Sequence, residues 1–127
     1  MAEGATKLLI VDDDPALLNL ASTYFKQTGY DVKGVPNSAD IPAALEGWKP
    51  DIMLLDIIMP NTNGLEVLRG LKQDSATASI PVFIFSNLDS EEEIAEAMSA
   101  GAVGYLTKAN YSLADVDKKI QEILIRK

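Results

Sequence analysis

Three consecutive carboxylates, Asp12, Asp13 and Asp14, follow directly on the apolar run 8–11 (LLIV), and a fourth, Asp56, follows the run 52–55 (IMLL). Adjacent like charges repel and raise one another's pKa, so acids placed at the ends of apolar runs call for a cation or a proton. The chain holds no histidine and no cysteine, which removes the usual ligands of zinc and the softer metals. Mg²⁺ suits an oxygen-only donor set: it takes ligands at about 2.1 Å, keeps waters, and typically uses one or two carboxylates with a phosphoryl oxygen. Two more apolar runs end in polar groups, 82–85 (VFIF) in Ser86 and 103–106 (VGYL) in Thr107 and Lys108. A carboxylate, Mg²⁺ and an opposing lysine describe phosphoryl transfer, where positioning and charge neutralisation supply most of the catalysis.

These residues converge only if the apolar runs are neighbouring strands. Short continuous runs flanked by turn residues predict strands buried on both faces, as in a parallel sheet, with 30–35 as a weaker edge strand. Helical patterns lie between them. In the first, Leu17, Leu20, Ala21, Tyr24 and Phe25 share a face, Asp14 caps, Pro15 opens and Gly29 ends it. The second, restricted by Pro42, is predicted from a cap at Asp40 to Gly47. The third follows Gly64 and carries Leu65, Leu68 and Leu71. The fourth runs from an Asp89 or Ser90 cap through Glu91, Glu92 and Glu93 to Gly101. The fifth starts at Ser112 and buries Leu113, Val116, Ile120, Ile123 and Leu124.

Strand and helix alternate five times, which predicts a doubly wound α/β domain with a five-stranded parallel sheet of order 2-1-3-4-5. In such sheets ligands bind beyond the carboxyl ends of the strands where the order reverses. Asp12, Asp13, Asp56, Ser86, Thr107 and Lys108 all fall on that rim.

Bulk properties narrow the function classes. The 127 residues suit one domain, and 47% hydrophobic with 24% charged residues is a globular composition. A net charge of −8 repels a phosphate backbone and argues against direct nucleic-acid binding. No apolar run approaches the roughly 20 residues of a membrane span, and the first residues lack a signal peptide's pattern. A cytoplasmic location follows as the expectation. Without histidine, any histidine chemistry must come from a partner.

Taken together, "VDDD", "LLDIIMPNTNG", "FSN" and "AGAVGYLTK", in this order at these strand ends, resemble the receiver domain of two-component response regulators, of the chemotaxis-regulator type. The resemblance covers essentially the whole chain, with a core of about 6–126 in one flavodoxin-like receiver domain. It implies a signalling phosphoacceptor that catalyses only its own phosphorylation and slow dephosphorylation, rather than an enzyme in the ordinary sense. Asp56 would attack a kinase phosphohistidine to form an aspartyl phosphate. Asp13, Asp56 and the Ile58 backbone carbonyl would bind Mg²⁺ directly, with Asp12 holding metal-bound water. Lys108 and Ser86 would contact the phosphoryl oxygens. Tyr105 would swing inward when Ser86 is recruited, altering the surface of helix four, strand five and helix five. The implied partners are a sensor histidine kinase or histidine phosphotransfer protein and a downstream protein target.

Each residue also has an ordinary structural role open to it. Asp12 and Asp13 suit loop and capping positions, Ser86 and Thr107 suit turns, Lys108 a solvated loop, and Tyr105 a sheet edge. Met53 and Met59 suit core filling. Asp56 stands apart, because no helix begins behind it to cap.

Three departures from the family pattern carry expectations. Ala109 stands where proline usually follows the lysine, and a strained cis Lys108–Ala109 bond is expected so that Lys108 still reaches the phosphoryl group. Asn87 replaces a small residue and adds bulk near the pocket. Ile58 and Leu88, two residues beyond the acceptor and the hydroxyl, are apolar and cannot orient an attacking water, so slow self-dephosphorylation is expected.

Other functions meet specific obstacles. A phosphatase of the haloacid dehalogenase type needs a second acid at position 58, and a flavin mononucleotide carrier needs a phosphate loop where the chain has "DDDP". A pseudo-receiver acting only as an interaction module would lack an acid, the acceptor or the lysine, and all are present. A fragment of a larger regulator or hybrid kinase is the remaining alternative, although Met1 and a completed fifth helix favour a free-standing chain.

Overall fold

In the computed structural model, which describes residues 4–59 and 62–125, five strands alternate with five helices. The strands are β1 (Lys7–Val11), β2 (Asp31–Val35), β3 (Ile52–Leu55), β4 (Val82–Ser86) and β5 (Gly104–Thr107). They form one sheet of order β2-β1-β3-β4-β5, parallel throughout. The helices are α1 (Pro15–Gln27), α2 (Ile41–Ala44), α3 (Gly64–Gln73), α4 (Glu91–Ser99) and α5 (Leu113–Ile125). A small antiparallel hairpin, Ile58–Met59 with Thr62–Asn63, stands between β3 and α3.

Successive side chains of a strand point to opposite faces, and here both faces are covered. Leu9, Val11, Met53, Leu55, Val82 and Ile84 pack with Leu65, Leu68 and Ala97 from α3 and α4. Leu8, Ile10, Ile52, Leu54, Phe83 and Phe85 pack with Ala21, Phe25, Val116 and Ile120 from α1 and α5. This double cover explains why the strands read as continuous apolar runs. Met53 and Met59 are both buried in the first cluster.

Three helices differ from expectation. Leu20 is 61% exposed, because about 100° of rotation per residue turns it away from Ala21 and Phe25, which α1 buries. In α5 only Val116 and Ile120 are fully buried, while Leu113, Ile123 and Leu124 lie at the edge of the cluster. The predicted second helix is replaced by a 3₁₀ turn, Ser38–Asp40, capped by the Asn37 side chain, and the four residues of α2. Asp40 makes no side-chain cap. The chain leaves the helix before Gly47 because the following segment is pinned to the edge strand. Lys33 Nζ donates to the Ala44 carbonyl at 2.9 Å and lies 4.7 Å over the Trp48 ring, whose indole N–H donates to Asp31 at 3.1 Å.

The other face of the sheet has its own clasp at the same edge strand. Tyr30 packs edge-on against Phe25, donates its hydroxyl to Asp117 Oδ1 at 2.5 Å, and accepts from Gln121 Nε2 at 2.9 Å. Burial pushes the phenol well above its ordinary pKa, and the Asp117 carboxylate adds to that. The folded state therefore holds this proton more tightly than the unfolded chain, and stability falls as pH rises above about 10, the unfolded tyrosine value. Tyr30→Phe should cost about 1 kcal/mol at neutral pH and flatten that alkaline loss. Urea midpoints across pH check this, and equal alkaline slopes in both proteins would contradict it.

Candidate functional site

Three strand-end residues of the rim are held by the strand beside them. The Asp12 N–H donates to the Val35 carbonyl at 3.2 Å, the Asp56 N–H to Val11 at 3.0 Å, and the Lys108 N–H to Ser86 at 2.9 Å. The parallel ladder thus continues one residue past the strands and fixes where these side chains start.

Asp12 is 2% exposed and Asp56 5% exposed, and carboxylates this dry need partners. Lys108 supplies them: its Nζ lies 2.7 Å from Asp12 Oδ2 and 3.0 Å from Asp56 Oδ2. Asp12 Oδ1 accepts the Asp14 N–H at 2.9 Å, and Asp56 Oδ1 accepts the Ile58 N–H at 3.1 Å. Burial alone would lower the Lys108 pKa, but its hydrogen bonds to Asp12 and Asp56 and their charges outweigh this and raise it. The ammonium therefore stays charged.

Asp13, half-buried, completes the group, and one oxygen from each of Asp12, Asp13 and Asp56 lies within 4.8 Å of the others. Three carboxylates against one lysine leave two negative charges, which a divalent cation would neutralise, and an all-oxygen set is the hard donor type that Mg²⁺ prefers. Asp14 is exposed and turns away to cap α1, accepting the N–H groups of Ala16 and Leu17 at 3.0 and 3.3 Å.

Lys108 reaches the site without the expected cis bond. The structure has no cis peptide among the described residues. With alanine rather than proline at 109, the segment 108–110 forms an ordinary turn closed by the Asn110 N–H on the Thr107 carbonyl at 2.9 Å.

Ser86 is fully buried and its Oγ accepts the Leu88 N–H at 3.2 Å. The Tyr105 hydroxyl donates to the Leu88 carbonyl. Burial raises the Tyr105 phenol pKa, and the neighbouring Ser86 hydroxyl offsets this in part. Residue 88 joins Ser86 and Tyr105 through its backbone, a link that no side-chain motif announces. Asn87 is exposed. Ile58 is half exposed.

Gly64, the last residue of the motif LLDIIMPNTNG, has a part in the site that the motif did not assign. Its N–H donates to the Ile57 carbonyl at 3.0 Å. A Cβ there would lie 2.4 Å from Ile57 Cα and 2.6 Å from the Asp56 carbonyl oxygen. The first turn of α3, capped by Asn63 Oδ1 on the Leu65 N–H at 2.8 Å, is thereby pressed against the backbone that carries Asp56. A glycine opening a helix eight residues beyond the acid was the available signal.

Comparison with known proteins gives a consistent outcome. The family model described as "Response regulator receiver domain" matches residues 8–121. Protein PilH of Pseudomonas aeruginosa is 36% identical over 102 residues, covering 80% of this chain and 84% of that protein. The DNA-binding dual master transcriptional regulator RpaA of Synechocystis is 31% identical over 120 residues, covering 94% of this chain and 49% of RpaA. The chain thus spans about half the length of several of its curated relatives. Among solved structures, the CheY-like response regulator receiver domain protein of Methanospirillum hungatei superposes with a TM-score of 0.87 at 26% identity, covering 96% of this chain and 95% of that one.

Proposed function

Because the chain belongs to the response regulator receiver domain family of two-component signalling, we propose that it accepts a phosphoryl group on Asp56 from a partner's phosphohistidine. In that step the P–N bond breaks and a bond forms between phosphorus and an Asp56 carboxylate oxygen, returning the histidine unmodified. The observation that carries this reading is the Lys108 ammonium shared between buried Asp12 and Asp56. It marks a dry site in which one acid is neutralised and aimed by a fixed cation.

The roles of the remaining residues follow from where they stand. Lys108 would transfer one of its contacts from Asp56 to a phosphoryl oxygen, and Ser86, buried at the end of β4, would donate its hydroxyl to another. Asp12, Asp13, Asp56 and the Ile58 carbonyl would hold Mg²⁺, which when bound supplies charge neutralisation for the incoming phosphoryl group. Tyr105, seated on Leu88, would couple the state of Ser86 to the surface of α4, β5 and α5.

This reading makes the protein a signalling phosphoacceptor in the cytoplasm, with one receiver domain over about 6–126. Its donor is a sensor histidine kinase or histidine phosphotransfer protein, and its output is contact with another protein. Among the described residues no helix is long and apolar enough to cross a membrane.

Incubation with Mg²⁺ and acetyl phosphate should add one phosphoryl mass to the wild type and none to Asp56→Asn. An equal adduct in both, or none in either, would defeat the proposal. The adduct should also be long-lived, since Ile58 and Leu88 offer no polar group to orient water. A half-life between seconds and a minute in the presence of Mg²⁺ would contradict that prediction.

A further inference from the structure

On the flank of α4 that faces α3 lies a trough made of two neighbouring hollows that share Glu96 as a lining residue. The part nearer the acceptor, about 420 Å³, is floored by Ile57, Ile58, Met59, Leu65 and Leu88 and walled by Glu93 and Glu96. The second, about 330 Å³, continues along α4 past Glu92, Glu96, Ala95 and Ser99. Glu96 borders both. The α4 helix that flanks both hollows, nine residues, is about 13 Å long, about two turns of a docked helix.

Its chemistry is unbalanced. The floor includes Ile58, which leaves half its surface in water although its amide is bonded to Asp56. The wall is acidic: α4 carries Glu91, Glu92, Glu93 and Glu96 and has no basic residue in its last turn. The base lining the trough, Arg69, meets Glu96 at 3.7 Å with both side chains nearly half exposed. Such a pair contributes little and leaves most of the wall's charge uncompensated. Glu93 is held in place by the Ser90 hydroxyl at 2.8 Å, a contact that neutralises nothing.

We propose that this trough docks a basic amphipathic helix of a partner protein, its apolar residue covering Ile58 and Leu88 and its lysines or arginines meeting Glu92, Glu93 and Glu96. Helices bind grooves through apolar anchors spaced along one face, and the charge complementarity selects a cationic sequence. The site is separate from the opposite flank of α4, next to β5. It abuts the acceptor through Ile58, so occupancy and phosphorylation should influence one another; that coupling rests on the function proposed above, whereas docking does not.

The test uses the full chain and two synthetic peptides of identical leucine and lysine composition. One has its leucines at helical spacing on one face, and the other has them scattered. In a titration followed by amide NMR, the amphipathic peptide should shift Ile58, Leu65, Leu88, Glu93 and Glu96. It should bind at least tenfold more tightly than the scattered peptide. Glu93→Lys with Glu96→Lys should weaken it at least tenfold, whereas Glu46→Lys with Glu122→Lys, the same charge change elsewhere, should leave it within twofold. Equal binding of both peptides, shifts confined to the β5 flank, no binding, or equal losses in both double variants would each overturn the proposal. Asp56→Asn should still bind the peptide, which separates failure of the phosphoacceptor reading from failure of docking.

Discussion

Lys108→Met is expected to destabilise the protein by about 3 kcal/mol in the absence of divalent cation and to slow phosphoryl adduct formation by about a hundredfold or more. Methionine keeps most of the stem and removes the charge that lies 2.7 Å from Asp12 and 3.0 Å from Asp56. Two carboxylates at most 5% exposed would then face each other and Asp13 with no counter-charge. The loss should be largely reversed by excess Mg²⁺, which a disrupted fold would not show. Urea midpoints in EDTA and in excess MgCl₂ measure this directly. An unchanged midpoint in EDTA would mean that the ammonium does not neutralise the cluster.

Gly64→Ala is expected to act on the same site from behind. The added Cβ would overlap backbone, Ile57 Cα at 2.4 Å and the Asp56 carbonyl at 2.6 Å, and backbone cannot yield as a side-chain tip can. Overpacking of this kind costs about 1–3 kcal/mol. The larger effect should be on geometry, because the displaced peptides carry the Asp56 carboxylate and lead to the Ile58 carbonyl. Both Mg²⁺ affinity and the rate of adduct formation should fall at least tenfold. Gly104→Ala supplies the control, since its Cβ would strike the Phe83 ring at 2.4 Å at the opposite end of β5 from Lys108. If the two variants lose stability alike and both retain wild-type Mg²⁺ affinity, Gly64 shapes only the fold.

The rim was legible in advance because its residues follow the apolar runs directly. A strand buried on both faces shows as an uninterrupted run, and the first polar residue after it must lie at the carboxyl edge. That logic located Asp12, Asp56, Ser86 and Lys108 with no knowledge of contacts. It worked least well for α2, where Pro42 and Gly47 suggested limits but the Lys33, Trp48 and Asp31 contacts to β2 shortened the helix. It also placed Leu20 inside, because a helical stripe identifies a face without saying how wide a strip of it the sheet covers.

The peptide after Lys108 shows the other limit. Replacing proline by alanine left two routes for Lys108 to reach the rim, a cis bond or a rebuilt turn, and the expected cis bond was the wrong one: before alanine it costs about 2.5–4 kcal/mol against about 0.5–1 before proline. In the folded chain the Lys108 N–H is tied to Ser86 and the Asn110 N–H to Thr107, so an ordinary turn delivers the ammonium.

Chemical type and strand order were thus properties of the sequence alone: which acids, which lysine, and which edge of the sheet they share. Periodicity and run length act locally, so they can be read without coordinates. Distances across the rim, the sharing of Lys108 between two acids, the approach of Gly64 to Asp56 and the Leu88 link between Ser86 and Tyr105 were decided by the tertiary structure. The Lys108 pairs and the Tyr105–Leu88 bond join groups far apart in the chain, and even the nearer contacts take their geometry only when the sheet and both helical layers have packed.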